Sequence, residues 1–163
     1  MFDECRLEGD FKLSSGRQSH YFYDLDLLSP EETAEYAKKL VDALPKDLLE
    51  EVEFIASPAI GGITIGFLVA FALNKRFVII DKGNNLRGTA FIAAKYLVVD
   101  DVITTFQAVN RVEEALGDNQ CVGAASFIFR GNIEDLTKQE FPTFFLSRKE
   151  PEFLDDGQAV CST

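Results

Sequence analysis

The stretch YLVVDDVITTFQAV, residues 96–109, runs four apolar residues into two adjacent carboxylates, Asp100 and Asp101, and then into two hydroxyls, Thr104 and Thr105. Two unpaired carboxylates so close raise each other's pKa, so the pair calls for a partner such as sugar hydroxyls or a metal ion. The threonines stand where a helix begins. Their hydroxyls and N–H groups, with the positive end of the helix dipole, can hold a phosphate. An apolar strand, an acid pair and a threonine-rich helix start thus make a cradle for a ribose phosphate. On the dipeptide alone, the plainer reading is two aspartates solvating a turn, with Thr104 as an ordinary N-cap.

The elements that must position these groups follow from the apolar periodicity. LSPEETAEYAKKLVDAL predicts an amphipathic helix: Ser29 is the N-cap, Pro30 the first helical residue and Glu32 completes a capping box. Ala34, Ala37, Leu40, Val41 and Leu44 follow at helical spacing, and Pro45 marks the stop. Residues 53–56 and 77–80 read as short apolar strands, with SPAIGG and a buried helix over 63–73 between them. Residues 81–88 (DKGNNLRG) read as a polar loop, YLVVDD as a strand ending in the acids, and Thr105 to Leu116 as a helix. Residues 121–129 and 141–146 read as the last strands. Strands apolar throughout and separated by helices indicate an α/β fold: a central, mostly parallel sheet flanked by helices. Ligands of such sheets bind at the C-terminal strand ends. SPAIGG, the acid pair and Arg130 all fall there.

The bulk composition narrows the class. At 163 residues, 47% hydrophobic and 26% charged, the chain predicts one domain with a substantial core. No apolar run reaches the ~18 residues of a membrane span, and the acidic start MFDECRLEGD lacks the layout of a secretion signal. The expectation is a cytoplasmic protein without a membrane partner. Sixteen basic against 27 acidic residues give a net charge of −11, the wrong sign for a nucleic-acid surface. Three cysteines with no paired close spacing and a single His20 speak for reduced thiols and against a Cys/His zinc site.

VVDDVITT resembles the phosphoribosyl-pyrophosphate (PRPP) signature of the type I phosphoribosyltransferases, and in particular of the orotate enzymes. FKLSSGRQSHYFYDL, residues 11–25, is similar to the orotate family's N-terminal motif, and IASPAIGGITIG to its pyrophosphate loop. The resemblance runs from about residue 9 to about residue 130. It implies a type I phosphoribosyltransferase fold: an N-terminal hood segment (1–28), an α/β core (29–147) and a tail (148–163). It implies Mg²⁺-dependent transfer of phosphoribosyl from PRPP to a ring nitrogen of orotate, giving orotidine 5′-monophosphate and pyrophosphate, in a homodimer. Residue by residue, Asp100 and Asp101 would hold the ribose hydroxyls, and the turn from Val102 to Val109, with Ile103, Thr104 and Thr105, the 5′-phosphate. Ala59, Ile60, Gly61 and Gly62 would face the pyrophosphate with Lys82 and Arg87. Ser15, Gly16, Arg17, Phe22, Tyr23 and Arg130 would meet the orotate. No protein group is expected to hold the metal directly; Mg²⁺ would be held mainly through PRPP.

Taken singly, Phe22 and Tyr23 also read as core packing, and Arg130 as a surface partner of Glu134 or Asp135. The sequence departs from the family pattern in three places. Phe106 stands where the phosphate turn carries glycine, and its ring is expected to obstruct the turn's N–H groups. The segment before the acid strand is short, keeping Lys82 but lacking the loop's further lysine and histidine. Ser14 replaces a frequent lysine. Phe106 and the short segment motivate a second reading, a PRPP- or nucleotide-binding regulatory homologue without turnover; a third, transfer to another base, is weaker because the N-terminal segment is orotate-like. The acidic tail is open between a free end and a dimer contact.

Overall fold

The computed structural model describes residues 1–12, 18–151, 153–155 and 158–159. A six-stranded sheet forms the centre, in the order β5-β4-β3-β6-β7-β8. Its strands are β3 (Phe54–Pro58), β4 (Arg76–Ile80), β5 (Leu86–Arg87), β6 (Lys95–Ile103), β7 (Gln120–Phe129) and β8 (Thr143–Arg148). All neighbours run parallel except β5, which folds back antiparallel on β4.

The side-chain period of two sorts β6 cleanly. Leu97 and Val99 enter one core with Ile55, Ile65, Val69 and Phe127, whereas Tyr96 and Val98 enter the other with Phe54, Val109, Val112 and Phe129. Helices α1 (Pro30–Ala43), α2 (Lys46–Glu51) and α3 (Gly62–Leu73) cover the first face, and α4 (Gln107–Leu116) the second. A short α5 (Ile133–Thr137) links β7 to β8.

The start of α1 is as expected. The Ser29 hydroxyl accepts from the Glu32 N–H at 3.1 Å, and the Glu32 carboxylate accepts from the Ser29 N–H at 2.9 Å. Elsewhere the boundaries move for identifiable reasons. β6 does not stop at the acids: Asp100 pairs with Ser126 and Ile103 with Phe129, because β7 is long enough to carry the ladder on. The last core strand begins at Thr143 rather than 141, after Pro142, which has no N–H to give. Helix α3 is buried on one side only, with Phe67 and Phe71 at 58% and 79% exposure. The 81–88 loop is a hairpin closed by β5.

The N-terminal segment forms a second, antiparallel sheet. Strands β1 (Arg6–Lys12) and β2 (Gln18–Tyr23) pair, and the tail adds β9 (Phe153–Asp155) and β10 (Gln158–Ala159) in the order β1-β2-β9-β10. The tail thus lies along the hood, a place its acidic composition did not reveal.

Candidate active site

The C-terminal ends of β3, β4, β6 and β7 open into one cavity of about 710 Å³ that the end of β2 helps to wall. Its floor is the acid pair. Asp100 is 6% exposed, and its carboxylate accepts from the Asp101 N–H at 2.8 Å; Asp101 in turn accepts from the Val102 N–H at 2.7 Å. Burial, and then the neighbouring Asp101 charge, push the Asp100 carboxyl well above the ordinary range. Burial also raises Asp101, and the charge of Asp26 across the cavity adds to the effect. The two acids are therefore costly to ionise while nothing faces them.

The turn after β3 crowds this pair. A Cβ on Gly61 would overlap the Asp101 carboxylate, and one on Gly62 would lie 3.0 Å from Asp100 Oδ1 and from the Val99 carbonyl. Glycines here allow the N-terminus of α3 to reach the acids. Ser57 fixes the approach by donating to the Val99 carbonyl at 2.6 Å. Ala59, Ile60 and Gly61 line the cavity, and Gly62 stands just behind them against Asp100.

On the other flank, Val102, Ile103, Thr104 and Thr105 lead into α4 and all line the cavity. The Arg130 N–H donates to the Ile103 carbonyl at 2.8 Å, and Gly131 passes so close to the Thr104 carbonyl that a Cβ would collide with it. Thr105 Oγ1 is buried without a hydrogen-bond partner. Phe106 caps α4 in the left-handed conformation, φ 65° and ψ 7°. Its ring does not lie over the turn as the sequence led one to expect. At 2% exposure it is turned into the second core, 6.1 Å from the Phe129 ring and 6.4 Å from that of Phe141.

The hood closes the remaining side. Tyr23 is buried at the edge of the core and Phe22, 37% exposed, meets Phe11 at 5.7 Å, yet both also line the cavity. Arg130 is no surface partner of Glu134 or Asp135. It is 2% exposed and donates to the Tyr21 carbonyl at 2.7 Å, the Ser19 hydroxyl at 2.8 Å and the Glu150 carbonyl at 3.3 Å. One guanidinium thus ties the end of β7 to the hood and to the segment after β8, while still lining the cavity. Ser15, Gly16 and Arg17 lie outside the described residues.

Lys82 reaches the cavity from the β4–β5 hairpin. Asp81 shapes that hairpin: its Oδ1 accepts from the Gly83 and Asn85 N–H groups, both at 2.9 Å, and its Oδ2 from Arg87 Nε at 3.2 Å. The Asn85 N–H, with Arg87 and Gly83, holds the Asp81 carboxyl below its ordinary value. Arg87 is thereby turned away from the place expected of it: engaged by Asp81 and 71% exposed, it is absent from the cavity wall. Asp24, Asp26, Gln107 and Arg111 line the cavity and were not picked out in the sequence. The signal was present for Arg111, four residues after Gln107 and so on the same face of α4.

Solved structures similar to this fold include phosphoribosyltransferases. Orotate phosphoribosyltransferase from Aeropyrum pernix superposes with a TM-score of 0.76 over 89% of each chain at 24% identity. Adenine phosphoribosyltransferase from Trypanosoma brucei gives 0.69 over 90% of this chain and 78% of its own at 19% identity. The fold is that of the type I phosphoribosyltransferases. Sequence relatives are more particular. Orotate phosphoribosyltransferase of Thermus thermophilus is 35% identical over 167 residues, covering 95% of this chain and 88% of the relative. That of Sphingopyxis alaskensis is 31% identical over 167 residues, covering 91% and 85%. No family model matches the chain. The chain belongs to the orotate phosphoribosyltransferase family.

Proposed function

We propose that this chain transfers the phosphoribosyl group of PRPP to a ring nitrogen of orotate, giving orotidine 5′-monophosphate and pyrophosphate. Its family membership supports the reading, and one observation carries it. The buried acid pair, the glycine turn of α3, the threonine turn of α4 and the aromatic edge of the hood face one another across a single cavity. Asp100 and Asp101 accept hydrogen bonds from the two ribose hydroxyls, which lowers their raised pKa values and fixes the sugar. Val102 to Thr105 and the first N–H groups of α4 take the 5′-phosphate, and the free Thr105 hydroxyl finds its partner there. Ala59 to Gly62 and Lys82 face the pyrophosphate. Phe22, Tyr23 and Arg130, with Ser15, Gly16 and Arg17, receive orotate.

The bond from the sugar C1′ to the pyrophosphate oxygen breaks with its electron pair leaving on pyrophosphate, and the bond from C1′ to the ring nitrogen forms. The charge of the oxocarbenium-like state is met by the acid floor, and that of the leaving group by Lys82 and the α3 N-terminus. Among the described residues no three His, Cys, Asp or Glu side chains gather as a metal cage. One acid pair is a donor set that fits Mg²⁺ held chiefly by substrate oxygens and water. When bound, Mg²⁺ supplies charge neutralisation on the pyrophosphate.

A homodimer is part of this reading, supported by the exposed apolar side of α3 with Phe67, Phe71 and the adjoining Ile60. The cytoplasm is its place, supported by the free thiols of Cys5 and Cys121, which burial pushes up to about 11 and about 12. No helix of the described residues is long and apolar enough to cross a membrane. With the Phe106 ring beneath the turn, the non-catalytic regulatory reading rests on the short 81–87 hairpin alone.

The test is orotate consumption with PRPP and Mg²⁺, run beside the reverse reaction from orotidine 5′-monophosphate and pyrophosphate. Turnover in both directions, abolished by Asp101→Asn, is expected. Folded protein with no turnover in either direction overturns the proposal, as does an Asp101→Asn variant that works as well as the native chain.

A further inference from the structure

We propose that Arg111 is a phosphate-binding residue of this site, its guanidinium closing over the first turn of α4 onto the 5′-phosphate of the sugar substrate. The proposal rests on the phosphoribosyl reading of the cavity. It goes beyond the family resemblance, which gives this phosphate to the turn ending at Val109 and does not extend to Arg111.

Four observations converge. Arg111 lies in the cavity wall together with Gln107 and Ala108, the residues one turn before it. Long helical side chains lean toward the N-terminus and cover the preceding turn, so a guanidinium at 111 hangs over the N–H groups of the first turn. Second, Arg111 is half-buried, yet it has no hydrogen bond or ion pair with any described residue. A half-buried guanidinium with five donors and no hydrogen-bond partner among the described residues is set for an anion that arrives from outside.

Third, the cavity's other two cations are placed elsewhere. Arg130 is anchored at the hood by the Ser19 hydroxyl and the Tyr21 and Glu150 carbonyls, on the orotate side of the proposed site. Lys82 follows β4, which β3 separates from β6, so at ~4.8 Å per strand the strand leading to Lys82 runs ~10 Å from the one leading to α4. Fourth, the α4 N-terminus has no side-chain cap, because Phe106 carries none, and Thr105 Oγ1 is unpartnered. The cavity wall carries four carboxylates (Asp24, Asp26, Asp100 and Asp101) in a protein of net charge −11. A polyanionic sugar phosphate needs positive charge at each end, and Arg111 is the side chain that supplies it at this one. Its charge also reaches Asp100, where it opposes the upward push of burial.

The experiment titrates ribose 5-phosphate and, separately, pyrophosphate into the native chain, Arg111→Ala, Arg111→Lys and Lys82→Ala by calorimetry, with the thermal midpoint of each variant as the check on folding. Charge-assisted phosphate contacts are the strong ones, so Arg111→Ala is expected to weaken ribose 5-phosphate about ten- to hundredfold and pyrophosphate no more than about twofold. Arg111→Lys should restore part of the loss, and Lys82→Ala should show the opposite preference. Ribose 5-phosphate affinity unchanged in Arg111→Ala overturns the proposal. So does an equal loss for both ligands, which would make Arg111 a general source of field, and so does a native chain that binds no ribose 5-phosphate. Arg111-dependent binding without any orotate turnover would leave this inference standing while the orotate reading fell.

Discussion

Replacing Phe106 separates two consequences of its position that normally travel together. The residue is in the left-handed region at φ 65°, and its ring is buried against Phe129 and Phe141. Truncating a buried phenylalanine to alanine costs about 3–5 kcal/mol in lost burial and residual cavity. Phe106→Ala loses that and keeps the backbone penalty of a Cβ in the left-handed region, about 1–2 kcal/mol. Phe106→Gly loses the ring as well but escapes most of that penalty, offset in part by glycine's greater chain entropy. The expected losses are about 3–5 kcal/mol for alanine and about 2–4 kcal/mol for glycine. The order is the reverse of the one found inside a helix, where glycine is the worse residue by about 1 kcal/mol.

Urea unfolding of the three proteins measures both quantities. The functional half of the test is the KM for PRPP, which should change by less than about threefold in Phe106→Gly, about 0.6 kcal/mol, because the ring lies beneath the phosphate turn rather than in it. A glycine variant less stable than the alanine variant refutes the left-handed assignment. A glycine variant as stable as the native chain refutes the burial. A sharply lower KM for PRPP would mean that the ring does stand in the phosphate's way.

Three further outcomes follow. Asp100→Asn removes a carboxyl whose pKa is raised on folding, so the native chain loses stability as pH climbs from the ordinary aspartate range toward the raised value. The variant should therefore melt higher than the native chain at pH 8, by about 2–4 °C per kcal/mol relieved, with the gap closing on acidification, while ribose 5-phosphate binding is lost; equal melting at all pH values would refute it. Arg130→Lys cannot span the Ser19, Tyr21 and Glu150 acceptors together, so amide exchange at 18–23 should quicken and stability should fall by about 1–3 kcal/mol. Asp81→Ala frees the hairpin that carries Lys82 and should lower kcat about ten- to hundredfold, whereas Asp81→Asn, which retains Oδ1 for the Gly83 and Asn85 N–H groups, should recover most of it.

The core was legible because its signals are local or periodic. Ser29, Pro30 and Glu32 announce α1, and the unbroken apolar runs of β3, β6 and β7 announce strands covered on both faces. The acid pair was legible by composition and position. What escaped depends on contacts distant in sequence. Arg130 meets Ser19 across 111 positions, and nothing at 128–131 tells that its partners are a hood strand and a tail carbonyl. Phe106 misled for a related reason: the sequence shows that glycine is missing, but the direction of the ring is set by Phe129 and Phe141, which arrive from β7 and the segment before β8. Arg87 misled because Asp81, six residues earlier, takes its charge. Arg111 escaped because the segment was read for the turn ending at Val109, and the cavity wall runs on to the next turn of α4.

These details share one energetic sense. Without ligand, the site holds two carboxyls that burial keeps hard to ionise, a buried hydroxyl with no partner, an uncapped helix start and a half-buried guanidinium with no hydrogen bond to a described residue. Each costs the empty protein free energy, and a ribose phosphate answers all of them: hydroxyls for the acids, phosphate oxygens for Thr105, α4 and Arg111. Ligand binding and folding stability must therefore rise together. At a hundred times the dissociation constant, ribose 5-phosphate adds about 2.7 kcal/mol by mass action alone. Burial disfavours the ionised form of both acids, so binding that brings hydroxyls to them is expected to be accompanied by proton loss from the protein. Calorimetry in buffers of different ionisation enthalpy reads that release directly. Proton release on binding would show that the acids hold excess protons in the empty site, and binding without any release would show that they are already ionised there.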